Sequence, residues 1–138
     1  MRHQGAAAAA ECVLDALRDT GLLDGAEGTR ADRSAVGRSR YEQGLWLRQL
    51  YFRAGLQALQ ALDMTRAGAG APGGPGGGVA DISDETARAR LRYNRTVREL
   101  GPFAEAVTSF VCCDRIRRGE PHLTMVRKGL DRLCVMRQ

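Results

Sequence analysis

Residues 64–81, MTRAGAGAPGGPGGGVAD, constrain the fold of this chain more than any other segment. Repeated glycine raises the entropic cost of a fixed backbone, and Pro72 and Pro75 oppose an uninterrupted helix. The stretch therefore reads as a connector between two helix-forming regions. It lacks the lysine followed by Ser/Thr at a helix start that a Walker phosphate loop requires.

A chain of 138 residues with 43% apolar types can build one compact core, whereas two independent cores would be difficult to form. The periodicities below predict an all-α chain, a small orthogonal helical bundle with a C-terminal helix-turn-helix-like pair. The expected organisation is a short helix and connector over 1–39, a long amphipathic helix over 40–64 and the Gly/Pro-rich linker over 65–80. A basic helical region over 81–138 then packs with 40–64 as one domain.

Val13, Leu14 and Leu17 share an apolar sector of a short helix that leaves at Gly21. From Gly21 to Ser39 the polar and glycine content predicts a loop or connector. Beyond it, Tyr41, Leu45, Phe52, Leu56 and Leu59 recur on one side, with Trp46 and Leu50 widening the face and Arg48 and Arg53 toward water. Of Gly44 and Gly55, the second is the expected bend.

Ser83 is placed to cap the next helix, with Asp84 and Glu85 at its positive end, and Ala89, Tyr93, Val97 and Leu100 supply its core face. Gly101–Pro102 marks a boundary. Phe103, Val107, Phe110 and Val111 form another face, Gly119 and Pro121 restrict the RGEPHL connector, and a last helix restarts near Thr124 with Val126, Leu130 and Leu133 inward.

The formal charge is +5, and its distribution is uneven. Residues 1–64 carry eight Lys/Arg against eight Asp/Glu, whereas residues 81–138 carry twelve against eight. In the final helix Arg127, Lys128 and Arg132 are expected on the exposed side, with Arg115, Arg117 and Arg118 around the preceding turn. Guanidinium groups in such a pair can bracket phosphates, and a correctly docked helix can reach base edges. Arg88, Arg92 and Arg95 form a secondary basic face. Each set also admits a plain reading, as solvated helix surface or contact for an acidic protein.

Catalytic and metal chemistry find little support. Consecutive Cys112 and Cys113 diverge around a helix and suit a core, Cys12 and Cys134 add no regular spacing, and His3 and His122 lie far apart. Asp84 and Glu85 serve a helix start, and Glu99, Glu105 and Asp114 can offset arginines. Tyr41, Trp46, Tyr51, Phe52, Phe103 and Phe110 fit packing better than base stacking. The expectation is a non-enzyme without cofactor or metal. No apolar run is long enough to span a membrane, and MRHQGAAAAAE makes a poor secretory signal, so a cytoplasmic protein is expected.

RYEQGLWLRQLYFRAGL, ISDETARARLRYNRTVRELGP, FVCCDRI and MVRKGLDRL together resemble a small helical domain of unresolved function in alphaproteobacterial regulator-like proteins. More distantly, they resemble transcription activators of phage-like gene-transfer systems. The resemblance spans about residues 40–134, and AECVLDALRDTGLL looks like the remnant of a preceding helix-turn-helix module. It implies a terminal helical pair that binds DNA or the transcription machinery, with Arg127 through Leu133 as the matching stretch and Lys128 and Arg132 its clearest polar candidates. RIRRGEPHLTM is compressed relative to the family pattern, which puts a complete reading head in doubt.

The expected function is therefore a transcription-associated protein that binds duplex DNA through its basic C-terminal helix. The competing class is a helical adaptor for RNA polymerase or another transcription regulator. A monomer and a homodimer could both use the apolar first half.

Overall fold

The computed structural model describes residues 12–56, 83–115 and 119–138, so the expected linker over 65–80, Leu59, and Arg117 and Arg118 lie outside the described residues. The described chain is an all-α helical bundle. Its order is α1 (Val13–Asp19), α2 (Arg30–Arg53), α3 (Asp84–Leu100), a 3-10 turn (Gly101–Phe103), α4 (Ala104–Val107) running into a π turn (Thr108–Cys112), and α5 (Glu120–Met136). α2 is the central element and packs against α1, α3, the π turn and α5.

Val13, Leu14 and Leu17 of α1 are all buried, as their spacing predicts. No Cys12 side chain caps this helix. The carboxylate of Asp114 does so from across the fold, accepting from the Val13 amide at 3.0 Å and from Arg48 Nη1 at 2.9 Å. Arg48 Nη1 also donates to the Val111 carbonyl at 2.8 Å. Asp114 holds a φ of 52°, a conformation that Asp tolerates better than most residues. These bonds tie α1, α2 and the π turn together.

The connector expected over Gly21–Ser39 is shorter than its composition suggested, because α2 begins at Arg30. Thr29 accepts from the Asp32 amide at 3.1 Å while the Asp32 carboxylate accepts from the Thr29 amide at 2.9 Å. This reciprocal capping box satisfies two otherwise orphaned amides and starts the helix at Arg30, well before Tyr41, the first residue of its expected apolar face. The same carboxylate is held below its ordinary range, first by the Thr29 amide that donates to it and then by the Thr29 side chain. α2 ends before Gly55, whose φ is +71°, and the residues beyond Leu56 lie outside the described ones.

The buried face of α2 is also rotated from the expected one. Leu47, Leu50, Tyr51 and Ala54 are its core residues, at helical i, i+3, i+4, i+7 spacing, whereas Phe52 is 37% exposed. Tyr41, Leu45, Trp46 and Leu56 only flank the core. Two apolar sectors share this helix, and the less aromatic one faces inward because α1 and α5 approach it closely. Gly44 permits that approach: a Cβ there would lie 2.9 Å from Leu14 Cδ1.

Ser83 caps α3 as expected, accepting from the Thr86 amide at 3.1 Å. Ala89, Tyr93 and Leu100 are buried and Val97 flanks them. Gly101, with φ +58°, turns the chain directly into the next element. In the π turn Phe110, Val111 and Cys112 are buried in succession, because the wider coil packs against α1, α2 and α4. The thiol expectation thus holds for Cys112, while Cys113 is half-buried with its Sγ 3.8 Å from the Tyr51 hydroxyl.

α5 starts at Glu120, four residues before Thr124, with Pro121 in its first turn where a missing N–H costs nothing. His122 consequently sits in a helix and not in a connector. Its ring lies 4.8 Å from that of Phe110, and its Nε2 is buried with no hydrogen-bond partner among the described residues. Val126, Leu130 and Leu133 are fully buried, and Gly129 lets α5 close onto Val107 and Phe103. At about 1.5–3 kcal/mol for each large apolar side chain removed from water, this face and the Leu14–Leu47–Leu50 cluster dominate cohesion.

Candidate nucleic-acid interface

The packing of α5 decides where its cations go. Its inward stripe of Val126, Leu130 and Leu133 leaves Arg127 and Arg132 on opposite flanks, with Lys128 outermost. Arg127 Nε donates to the Leu22 carbonyl at 2.7 Å, in the turn after α1. Arg132 Nε donates to the Glu99 carbonyl at 2.7 Å, at the end of α3. Between them Asp131 carries a bidentate pair with Arg40. The three cations expected to form one exposed face are therefore divided: Lys128 projects to water, Arg127 is half-buried against α1, and Arg132 reaches the α3 side.

Arg115 is exposed beyond the π turn, and its amide donates to the Ser109 carbonyl at 2.8 Å. The described contacts do not bring it together with the α5 cations.

The secondary stripe is better assembled. Arg88, Arg92 and Arg95 are all exposed along α3. Arg88 and Arg92 line a cleft of about 210 Å³ with Arg53 and Glu85, over Leu50 and Ala89. Arg92 and Arg95 line a second cleft of about 320 Å³ whose other walls are Trp46, Thr96, Glu99, Leu133, Met136 and Arg137. Arg92 belongs to both. Arg132 does not line either cleft, but it bonds the backbone carbonyl of Glu99, a residue that lines the larger one.

Trp46 lines that larger cleft instead of standing in the core. The guanidinium carbons of Arg137 and Arg92 lie 4.4 and 5.5 Å from its ring centroid. Such contacts hold cations against an aromatic surface and make their positions less costly to fix. Arg137 also donates to Gln43 Oε1 at 2.7 Å. The lining of the two clefts includes five arginines and two glutamates, an excess of positive charge in concave surface, where fields are focused.

Sequence reasoning missed Trp46, Arg53 and Arg137 as members of this surface. Trp46 and Arg53 are seven residues apart and so share one side of α2, a signal obscured by the apolar residues between them. Arg137 follows the last turn of α5 and reaches Trp46 only through the tertiary fold.

Thiols and phenols form a separate, buried group. Burial pushes the Cys112 thiol up to about 12, reinforced by nearby Cys113. Burial likewise raises Tyr93, and it pushes Tyr51 up to about 12 with help from its hydrogen bond to Cys113. These groups are held protonated, which suits packing. Among the described residues, no three His, Cys, Asp or Glu side chains come together to hold a metal, and no helix is long and apolar enough to cross a membrane.

No family model matches this chain, and no curated protein and no solved structure shows significant similarity to it.

Proposed function

We propose that this chain is a non-catalytic, transcription-associated protein that binds duplex DNA through arginine–phosphate contacts. The observation that carries the reading is the Arg132–Glu99 contact, which joins the end of the basic C-terminal helix to the Arg88, Arg92 and Arg95 stripe. That contact brings a cation of α5 to the α3 helix that carries the stripe, and contact with a polyanion is served by cations drawn from two helices. The division of Arg127 from Arg132 favours phosphate contact over base reading by α5 alone.

Fluorescence anisotropy of labelled duplexes at several salt concentrations tests this. Binding should weaken as salt rises, and the triple variant Arg88→Gln, Arg92→Gln, Arg95→Gln should flatten the logarithmic salt slope by about one per lost phosphate contact. Unchanged affinity in a variant with a native circular dichroism spectrum would overturn the proposal.

The second reading is an adaptor for RNA polymerase or another transcription regulator. It is favoured by Leu91 on α3 and Val135 on α5, which are 67% and 68% exposed. A complex with purified polymerase that survives nuclease treatment and is lost in Leu91→Asp would select this reading.

A further inference from the structure

We infer that the cleft lined by Arg53, Arg88 and Arg92 receives a phosphomonoester, the terminal phosphate of a DNA strand or of a free nucleotide. Arg53 ends α2, and Arg88 and Arg92 stand one turn apart on α3, so the latter two share a face. Leu50 and Ala89 are buried where the two helices meet, and Arg90 Nε donates to the Ala54 carbonyl at 2.7 Å. The walls of the cleft are therefore fixed relative to each other.

The engagements of the arginines set this cleft apart. Arg40, Arg48, Arg90, Arg127 and Arg132 each donate to a carbonyl or carboxylate of another segment and hold the fold together. The exposed guanidiniums of Arg53 and Arg88 hold no hydrogen bond or ion pair among the described residues, and Arg92 meets only the Trp46 ring at 5.5 Å. Their donors are left for an oxyanion.

Charge and size narrow the ligand class. Glu85 is the one carboxylate in the lining, so three guanidiniums against one carboxylate leave +2. A diester within a strand carries one negative charge and is flanked by sugars on both sides. A monoester carries nearly two at neutral pH, its second pKa being about 6, and is attached on one side only, so it can enter a concavity. The volume of about 210 Å³ lies below the roughly 300–1,000 Å³ of sites that enclose a whole small molecule, which suits a phosphate group with base and sugar outside.

The strand-end form of the inference rests on the nucleic-acid reading above, because Arg88 and Arg92 serve both. We would titrate the full chain by anisotropy with an internally labelled blunt duplex carrying 5′-phosphates and the same duplex carrying 5′-hydroxyls. Adenosine 5′-monophosphate and adenosine would be followed by calorimetry.

The phosphorylated duplex should bind about tenfold more tightly, the worth of one hydrogen bond to a charged group. Arg53 lines the cleft but lies outside the Arg88, Arg92 and Arg95 stripe, so Arg53→Gln should abolish that preference and leave the hydroxyl duplex within about twofold. Arg95→Gln, in the stripe but outside the cleft, should weaken both duplexes alike and keep the preference. Saturable uptake of the monophosphate but not of adenosine, lost in Arg53→Gln, with no preference between duplexes would assign the cleft to a free phosphomonoester. The same uptake with no duplex binding at all would also remove the duplex reading. Equal binding of both duplexes and no uptake of the monophosphate would overturn the inference while sparing that reading. An undiminished preference in a folded Arg53→Gln would overturn it too, by placing the strand end elsewhere. The wild-type comparisons alone can overturn the inference where Arg53→Gln fails to fold.

Discussion

Arg40 of α2 grips Asp131 of α5 with a two-pronged pair, Nε to Oδ1 at 2.8 Å and Nη2 to Oδ2 at 2.9 Å, while its Nη1 donates to the Leu23 carbonyl at 2.8 Å. One guanidinium thus fastens three segments. The Arg40 side chain is only 14% exposed, but Asp131 is half in water, which screens the charge attraction and leaves geometry as the main contribution. Lysine cannot reproduce a planar fork. Arg40→Lys should therefore lower unfolding free energy by roughly 1–2 kcal/mol, read from urea denaturation. An unchanged midpoint would show that the fork adds nothing to stability.

Gly129 illustrates a different kind of constraint. In an exposed helix, Gly→Ala stabilises by about 1 kcal/mol. Here a Cβ would collide with Val107 Cγ2 and lie 3.0 Å from Phe103 Cβ, both on elements that α5 packs against. Overpacking of this kind costs about 1–3 kcal/mol, enough to reverse the sign. Gly129→Ala should lower the melting temperature, and more than Gly44→Ala, whose nearest neighbour is the terminal Cδ1 of Leu14 at 2.9 Å. A higher melting temperature for Gly129→Ala would mean that α5 sits further from α4 than described.

Much of the fold was legible because local rules and core periodicity agree in it. Val13, Leu14 and Leu17, the Ser83 cap, and Val126, Leu130 and Leu133 all stand where their spacing puts them. The start of α2 was hidden because residues 30–36 are largely exposed and give no apolar rhythm, so only the Thr29–Asp32 box marks it. The cationic surface was legible in part. Arg88, Arg92 and Arg95 share a face by helical spacing alone, whereas the separation of Arg127 from Arg132 and the placing of Arg137 on Trp46 depend on how helices dock. Side-chain sharing between elements has no signature in one sequence.

The buried thiol and phenols predict a loss of stability in alkali. The Cys112 thiol rises from an ordinary value of 9.0 to about 12 on folding, because burial disfavours the thiolate. Below pH 9 both states hold the proton and the stability is fully present. As pH climbs from 9 toward 12 the unfolded chain releases a proton that the folded chain retains, so unfolding is favoured progressively. Tyr51, raised from 10.0 to about 12, adds to the same trend. The urea midpoint should fall between pH 8 and 10.5, with a shallower fall in Cys112→Ala. A midpoint flat across that window would show that the Cys112 thiolate is solvated in the folded protein.

The opposite flanks of α5 predict opposite phenotypes for two arginines seen as equivalent in the sequence. Arg127 holds the turn after α1 through the Leu22 carbonyl, so Arg127→Gln should destabilise by roughly 1 kcal/mol, the loss of a charged hydrogen bond at a half-exposed site. Its effect on duplex affinity should stay within about twofold. Arg132 stands on the α3 side, where Arg92 and Arg95 add to its field, and Arg132→Gln should reduce the salt slope of duplex binding by about one. Paired urea melts and anisotropy titrations on the two variants separate these effects. Equal loss of affinity in both would return the contact surface to the outer side of α5, around Lys128, and away from the α2–α3 clefts.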